Sequence, residues 1–110
     1  MTEKIVKAKK GHVELSTGRK VIIKDMSIDD IDYCEDITEV VYSNTGDITS
    51  VRNLAKSRTA WIRRGLGGGD FDKFSFNAKG HVSDSSVMEL SEVEKNELLP
   101  LIQNHQKLGE

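Results

Sequence analysis

The chain has 110 residues, of which 36% are hydrophobic and 31% are charged, and its formal net charge is −2. This length fits one small domain spanning residues 1–110 with one modest core. A negative net charge disfavours a non-specific nucleic-acid binder, which is usually basic. Cys34 is the only cysteine, so no disulfide forms within the chain. Together with the lack of an apolar signal or membrane-spanning run, this predicts a cytoplasmic protein with no membrane partner.

The N-terminal quarter of the chain predicts a β-hairpin. Residues 1–10 are a basic lead-in, which we expect to be an edge strand or a mobile arm. Within residues 12–24, apolar and polar residues alternate on both sides of Gly18, which permits the positive φ of a turn. If Leu15 lies opposite Val21 and Val13 opposite Ile23, the loop has an odd number of residues, three or five.

Two helices of opposite charge, packed antiparallel, are predicted next. The first spans residues 27–42, with Ser27 as its N-cap. Its apolar stripe recurs at three- and four-residue steps and consists of Ile28, Ile31, Cys34 (or Tyr33), Ile37 and Val41. Its other faces are crowded with the carboxylates Asp32, Glu35, Asp36 and Glu39. Like charges on neighbouring turns repel, so we expect a basic element nearby.

The second predicted helix supplies that basic element. It spans about residues 48–66 and follows a turn at residues 43–47. Its cationic residues are Arg52, Lys56, Arg58, Arg63 and Arg64. Trp61 lies beside its apolar stripe, and a core position is the default interpretation, with an interface anchor as the alternative.

Residues 65–90 are interpreted as a flexible loop or as one that orders on a partner. Gly65-Leu-Gly-Gly-Gly69 predicts a helix end and a linker or hinge. It fits neither phosphate-binding motif, because no Lys-Ser/Thr pair follows it and no strand precedes it. All three phenylalanines follow closely. We expect a short strand there, a turn at residues 77–80 and a loop at residues 83–86. The phenylalanines are Phe71, Phe74 and Phe76.

The C-terminal part predicts a helix that begins with a capping box, Ser91 followed three residues later by Glu94. Pro100 predicts a bend or a restart, and Gly109 predicts the end of the helix. The predicted fold class is therefore α+β. It comprises an N-terminal β-hairpin, a two-helix hairpin, a glycine-broken loop with a short strand, and a C-terminal helix.

No residue pattern predicts catalysis, a metal site or a cofactor. His12, His81 and His105 are far apart in the sequence, and a single cysteine excludes a paired-cysteine zinc motif. We interpret Cys34 as a small buried hydrophobe. We therefore expect a non-enzymatic protein that acts by binding.

Three surfaces are candidates for that binding. Trp61, Phe71, Phe74 and Phe76 would anchor a protein partner or a second copy of the chain. The carboxylates Asp32, Glu35, Asp36 and Glu39 would bind a basic protein, as an inhibitor does. A nucleic acid would contact the basic helix at Arg52, Lys56, Arg58, Arg63 and Arg64, although the acidic helix would repel phosphates unless it is turned away.

Three stretches resemble small assembly proteins of tailed bacteriophages, notably tail assembly chaperones. They are Gly18-Arg-Lys-Val-Ile-Ile-Lys-Asp-Met-Ser27, Arg58-Thr-Ala-Trp-Ile-Arg-Arg-Gly65 and Leu90-Ser-Glu-Val-Glu-Lys-Asn-Glu-Leu98. The resemblance implies a small, mostly helical, non-enzymatic protein that self-associates in the host cytoplasm. It further implies a helical surface that holds an aggregation-prone virion protein, such as the tape measure or the tail tube, before assembly. A structural component of the virion is the alternative.

Overall fold

A computed structural model describes residues 11–108. The basic lead-in and the predicted stop at Gly109 lie outside this range. The elements in chain order are strands β1 (His12–Glu14) and β2 (Lys20–Ile23), helix α1 (Ile28–Ile37), strands β3 (Glu39–Tyr42) and β4 (Ile48–Arg52), helix α2 (Leu54–Gly65), strand β5 (Leu66–Gly69), and helices α3 (Asp84–Met88) and α4 (Glu92–Leu108). The predicted α+β class is confirmed.

Strands β1, β2 and β5 form an antiparallel sheet with β2 in the centre. The predicted hairpin is confirmed, and its three-residue loop has the odd length that we expected. The pairing differs by two residues, because Val13 lies opposite Val21 rather than Ile23. The turn sets this register: Leu15 N–H donates to the Arg19 carbonyl at 2.9 Å, and Gly18 has φ +93°. A two-residue shift preserves the inward face of each strand.

The glycine run is not a linker, so that prediction is wrong. Gly65 is the last residue of α2, and β5 pairs with β2 so that Ile22 lies opposite Gly68. The glycines permit close contacts. A Cβ on Gly69 would lie 2.5 Å from the carbonyl oxygen of Lys20, and a Cβ on Gly65 would collide with Ile102 of α4. Glycine is needed here because neighbouring elements approach closely, not because the chain must be flexible.

Both predicted central helices are too long, because a second hairpin lies between them. Helix α1 ends at Ile37 and α2 begins at Leu54, while β3 and β4 pair antiparallel across residues 44–46. Residues 40–42 and 48–51 are mostly β-branched or aromatic, which favours strands. The predicted turn and N-cap are both confirmed: Gly46 has φ +92°, and Ser27 Oγ accepts the Asp30 N–H at 3.1 Å.

The region before α4 is more ordered than the sequence suggests. Phe76 pairs with Val82 in an isolated bridge, and the predicted turn between them is confirmed. The predicted loop at residues 83–86 is wrong, because Ser83 caps α3 by accepting the Ser86 N–H at 3.4 Å. A serine at this position is a favourable helix N-cap.

The capping box of α4 is confirmed. Ser91 N–H donates to Glu94 Oε1 at 2.8 Å, and Glu94 N–H donates to Ser91 Oγ at 3.1 Å. Helix α4 continues through Pro100, so of the two alternatives, a bend or a restart, the restart is wrong. Pro100 and Asn96, whose carbonyl loses its helical donor, are both exposed, so water can hydrate that carbonyl.

The core is formed by the sheet, α2, α4 and the inner side of α1. Trp61 is only 3% exposed, so its default interpretation as a core residue is confirmed. Cys34 is fully buried, whereas Ile28, at the start of the same predicted stripe, is 76% exposed. The other buried hydrophobic residues are Leu15, Val21, Ile23, Ala60, Ile62, Leu66, Val82, Val87, Leu90, Leu98 and Ile102.

A clamp between Arg19 and Glu94 joins the sheet to the helices. Arg19 Nε donates to Glu94 Oε2 at 3.0 Å, and its other two nitrogens donate to the carbonyls of Asp70 and Glu89. Thr17 Oγ1 donates to the same carboxylate oxygen at 2.6 Å. One guanidinium therefore connects the first hairpin with the residue after β5, the residue after α3 and the first turn of α4.

The environment of Glu94 favours its charged form. Burial alone would raise the pKa of this carboxyl, which is only 4% exposed. Hydrogen bonds from Thr17, the Ser91 N–H and Arg19 outweigh burial and lower the pKa from 4.5 to about 2. Because the folded pKa is depressed, this stabilisation is complete above pH 4.5 and is lost as the pH falls towards 2.

We predict that Glu94→Gln lowers the free energy of unfolding by about 3 kcal/mol at pH 7, because it breaks a buried ion pair. The measurement is urea denaturation at pH 7 and at pH 3. Between pH 7 and pH 3, the free energy of unfolding should fall less in the variant than in the wild type, because the variant lacks the carboxyl group of Glu94.

Glu97→Gln is the matched control, one turn further along α4. Glu97 accepts two hydrogen bonds from Ser16, which lower the pKa of its carboxyl, but it lies at the surface. We expect a much smaller loss at this site. Equal losses for the two variants would contradict the role given to the clamp.

Candidate protein-docking surface

The hairpin of β3 and β4, here called the arm, is a sheet of its own. Neither strand pairs with any other strand in the described part of the chain. Every residue from 44 to 56 is exposed. An isolated two-stranded ribbon is marginally stable in water and gains stability when another element packs on it. Within the described residues, the arm therefore has no sheet support beyond its own two strands.

One face of the arm is apolar. Val40 lies opposite Val51, and Tyr42 lies opposite Ile48, with a bulge in β4 between the two pairs. Alternate residues of a strand share a face, and residues directly opposite each other do too. The exposed fractions of these side chains are 39% for Val40, 42% for Val51, 61% for Tyr42 and 61% for Ile48. We call these four side chains the apolar arm face.

The arm is held by local contacts at its tip and base. At the tip, Ser43 N–H donates to the Asp47 carbonyl at 2.7 Å, and Ser43 Oγ accepts the N–H groups of Thr45 and Asp47. At the base, Asn53 adopts the left-handed conformation with φ 65°, and its Nδ2 donates to the Ile37 carbonyl at 3.2 Å. These hydrogen bonds stabilise the arm as a hairpin and attach it to the end of α1.

The predicted aromatic anchors are mostly turned towards their own chain. Trp61 is buried, and Phe71 and Phe74 are half-buried against the core. The phenylalanine rings contact each other in series, with centroids 5.0 Å apart for the tilted pair Phe71 and Phe74, and 5.1 Å apart for the edge-to-face pair Phe74 and Phe76. Only Phe76, at 46% exposed, offers a large part of its ring to a partner.

Three of the five predicted nucleic-acid-binding side chains are engaged within the chain. Arg58 pairs with Glu92 at 2.9 Å, and Arg63 pairs with Asp84. Arg64 lies 4.2 Å from the ring centroid of Tyr33 and 3.6 Å from Asp30, which is the only ion pair between the two central helices in the described structure. Arg52 and Lys56 are exposed and form no ion pair with any described residue.

The predicted acidic surface is exposed. Within the described range, its carboxylates take part in no ion pair, and two of them, Glu35 and Asp36, lie near the C-terminal end of α1. Negative charge there is disfavoured by the helix dipole, so a cation from a partner would relieve it. The exposed carboxylates are Asp32, Glu35, Asp36 and Glu39.

The described residues that could do chemistry are the Cys34 thiol and two histidines beside carboxylates. His105 Nε2 lies 2.9 Å from Asp25 Oδ1, and His81 Nε2 lies 3.9 Å from Asp30 Oδ1. Burial raises the pKa of the Cys34 thiol to about 11, so the thiol stays protonated at neutral pH. Burial and the nearby Arg64 lower the pKa of His81. No group of three or more metal-binding side chains is found between residues 11 and 108, and no helix there is long and apolar enough to cross a membrane.

We found no match for this chain among protein-family models, curated proteins or solved structures. The resemblance to tail assembly chaperones therefore stays a prediction.

Sequence reasoning missed the arm as a hairpin, although a signal was present. The two hairpins have loops of the same kind, Ser16-Thr17-Gly18 and Asn44-Thr45-Gly46, each ending in a glycine with φ near +90°. Strand-forming residues flank the second loop as they flank the first.

The burial of the Cys34 thiol predicts how fast it reacts with a thiol reagent. In the native protein at pH 8, a thiol reagent should label Cys34 only as fast as the fold opens, and labelling should become rapid in denaturing urea. The measurement is the time course of reaction with Ellman's reagent. A Ser85→Cys variant, which adds an exposed thiol, is the control and should label one of its two thiols at once. Rapid labelling of the native wild type would contradict the burial of Cys34.

Proposed function

We propose that this chain is a non-enzymatic protein-binding module and that the arm is its docking surface. The observation that supports this is the apolar arm face, four apolar side chains on a hairpin with which no other strand pairs between residues 11 and 108. Exposed contiguous apolar surface on a small protein marks an interaction site. Complete burial of one such side chain stabilises a complex by roughly 1.5–3 kcal/mol. Burial of four half-exposed side chains therefore stabilises it by several kcal/mol.

The shape and charge of the arm favour a protein over a small molecule. Small ligands bind in concave pockets with converging polar groups, whereas a hairpin offers a narrow, convex surface. Charges of both signs border the apolar arm face, with Asp47 at the tip and Glu39, Arg52 and Lys56 at the base. An apolar centre with a polar rim is the usual anatomy of a protein interface.

The resemblance to tail assembly chaperones supports a virion protein of the tape measure or tail tube type as the partner. An open strand edge beside an apolar face can receive an extended segment of another chain by strand addition. Such a contact would hold an aggregation-prone protein before assembly. A virion component that uses the same arm is the alternative within this proposal.

A basic protein bound by α1 is the second candidate. It is favoured by the carboxylates of Asp32, Glu35 and Asp36 on that helix, which form no ion pair with any described residue; the last two lie near its C-terminal end. Binding to nucleic acid through α2 is less supported, because Arg58, Arg63 and Arg64 are held in contacts within the chain.

The test is co-expression with a tape measure or tail tube protein from the same genome, with the soluble fraction of that protein as the readout. We predict that the wild type keeps the virion protein soluble. The double variant Tyr42→Ser, Ile48→Ser should lose this effect and bind about tenfold or more weakly, because it removes the two most exposed side chains of the apolar arm face.

Met88→Ser is the matched control, since Met88 is 79% exposed and lies outside the arm on α3. It should behave as the wild type. Circular dichroism checks that all variants fold. An arm variant that is folded and fully active would exclude the arm as the docking surface. Loss of binding only on Glu35→Gln with Asp36→Asn would favour the second candidate.

A further inference from the structure

We propose that the arm binds a second copy of this chain through the free edge of β4, forming a four-stranded sheet in the order β3-β4-β4-β3 across a two-fold axis. The inference rests on the proposed function, because it names a partner for the same arm. It follows from the backbone edge, the side-chain faces and the charges of β4.

The backbone of β4 has an open edge at two residues. The bond from Ser43 N–H to the Asp47 carbonyl makes these two residues a hydrogen-bonded pair. In an antiparallel ladder, hydrogen-bonded and non-bonded pairs alternate, and the N–H and C=O groups of a non-bonded pair point away from the partner strand. Following β3 back from Ser43, Tyr42 and Val40 occupy non-bonded positions. Ile48 and Val51, which lie opposite them, therefore present their N–H and C=O groups at the free edge.

Because of the bulge in β4, Ile48 of one copy can pair with Val51 of another. Ile48 and Val51 are three apart in the sequence, which in a regular strand would place them on opposite faces. The extra residue in β4 puts both on the apolar arm face. When Ile48 of one copy lies opposite Val51 of the other, each pair can exchange two backbone hydrogen bonds, and the two-fold axis repeats this arrangement.

The charges of β4 complement each other in this register. Asp47 then lies opposite Arg52 of the second copy, on the polar face of the sheet, and the axis makes this contact twice. Arg52 is exposed and forms no ion pair with any residue between 11 and 108, and Asp47 likewise has none there. The stretch between them, residues 48–51, contains no charge and no proline, the residues that usually protect an edge from pairing.

The same charges disfavour pairing through β3. Whether two arms pair through β3 or through β4, the tip of one arm lies beside the base of the other. The tip carries Asp47. The base of β3 follows the acidic end of α1 and carries Asp36 and Glu39, whereas the base of β4 carries Arg52 and Lys56. Opposite charges meet only when β4 pairs with β4. This pairing also joins two apolar arm faces into one continuous surface of eight side chains.

The first test is the molar mass of the full chain by size exclusion with light scattering, over a wide range of concentration. The wild type should form a dimer. Val51→Pro should be monomeric, because proline removes an outward N–H and no bond within the hairpin. Val40→Pro is the matched control, since it removes the outward N–H directly opposite, at the edge that stays free, and it should remain dimeric. Monomeric wild type, or equal behaviour of the two proline variants, would overturn the proposal.

A charge exchange tests the register. Asp47→Arg and Arg52→Asp should each weaken the dimer at least tenfold, because each places like charges opposite each other twice. An equimolar mixture of the two variants should form a dimer again, since every cation then faces a carboxylate. A mixture that stays monomeric, or single variants that dimerise as the wild type does, would overturn this register.

The outcomes separate the two proposals. A wild type that stays monomeric but binds a virion protein through the arm overturns self-pairing and leaves the proposed function intact. A dimer sensitive to Val51→Pro supports self-pairing even where the co-expressed virion protein is not held, and in that case the docking function fails alone.

Discussion

The buried ion pair between Arg19 and Glu94 is the constraint on which the rest of the structure depends. The core is thin, and its three-stranded sheet contains a strand made of three glycines and one leucine, Leu66–Gly69. Such a strand contributes few side chains to packing, so polar contacts must fix the sheet against the helices. Arg19 does this by bonding to a carboxylate and two carbonyls that belong to different elements. Because both partners are charged and largely removed from water, loss of either leaves the other buried without a counter-ion.

The two hairpins show how tertiary contacts make one local structure part of the core and leave a similar one exposed. Both have a three-residue loop that ends in a glycine with positive φ. The first hairpin is fixed by the clamp and by β5, and its apolar residues are in the core. The arm has neither support, and its apolar residues face solvent. An isolated hairpin is marginally stable, so a partner that covers the arm, as we propose, would stabilise it.

Local signals with a defined chemical partner could be predicted from the sequence. The capping box at Ser91 and Glu94, the N-cap at Ser27 and the turn at Gly18 each depend on residues within a few positions of each other, and all three formed as predicted. The arm was missed because Val41, Ile48 and Val51 fit a helical stripe by spacing, while their β-branched side chains favour strands. The glycine run and the clamp could not be predicted, since both depend on contacts between residues that are tens of positions apart. No local pattern reports such contacts.

Amide hydrogen exchange of the arm, followed by NMR on the wild-type protein at high concentration, tests the central claim most directly. Ile48 and Val51 have N–H groups that find no acceptor within their own hairpin, and the same holds for Val40 and Tyr42 on the other edge. If the edge of β4 binds a second copy, the amides of Ile48 and Val51 exchange slowly, while those of Val40 and Tyr42 exchange fast. Equally fast exchange at all four positions would show that the arm is uncovered and would contradict the account.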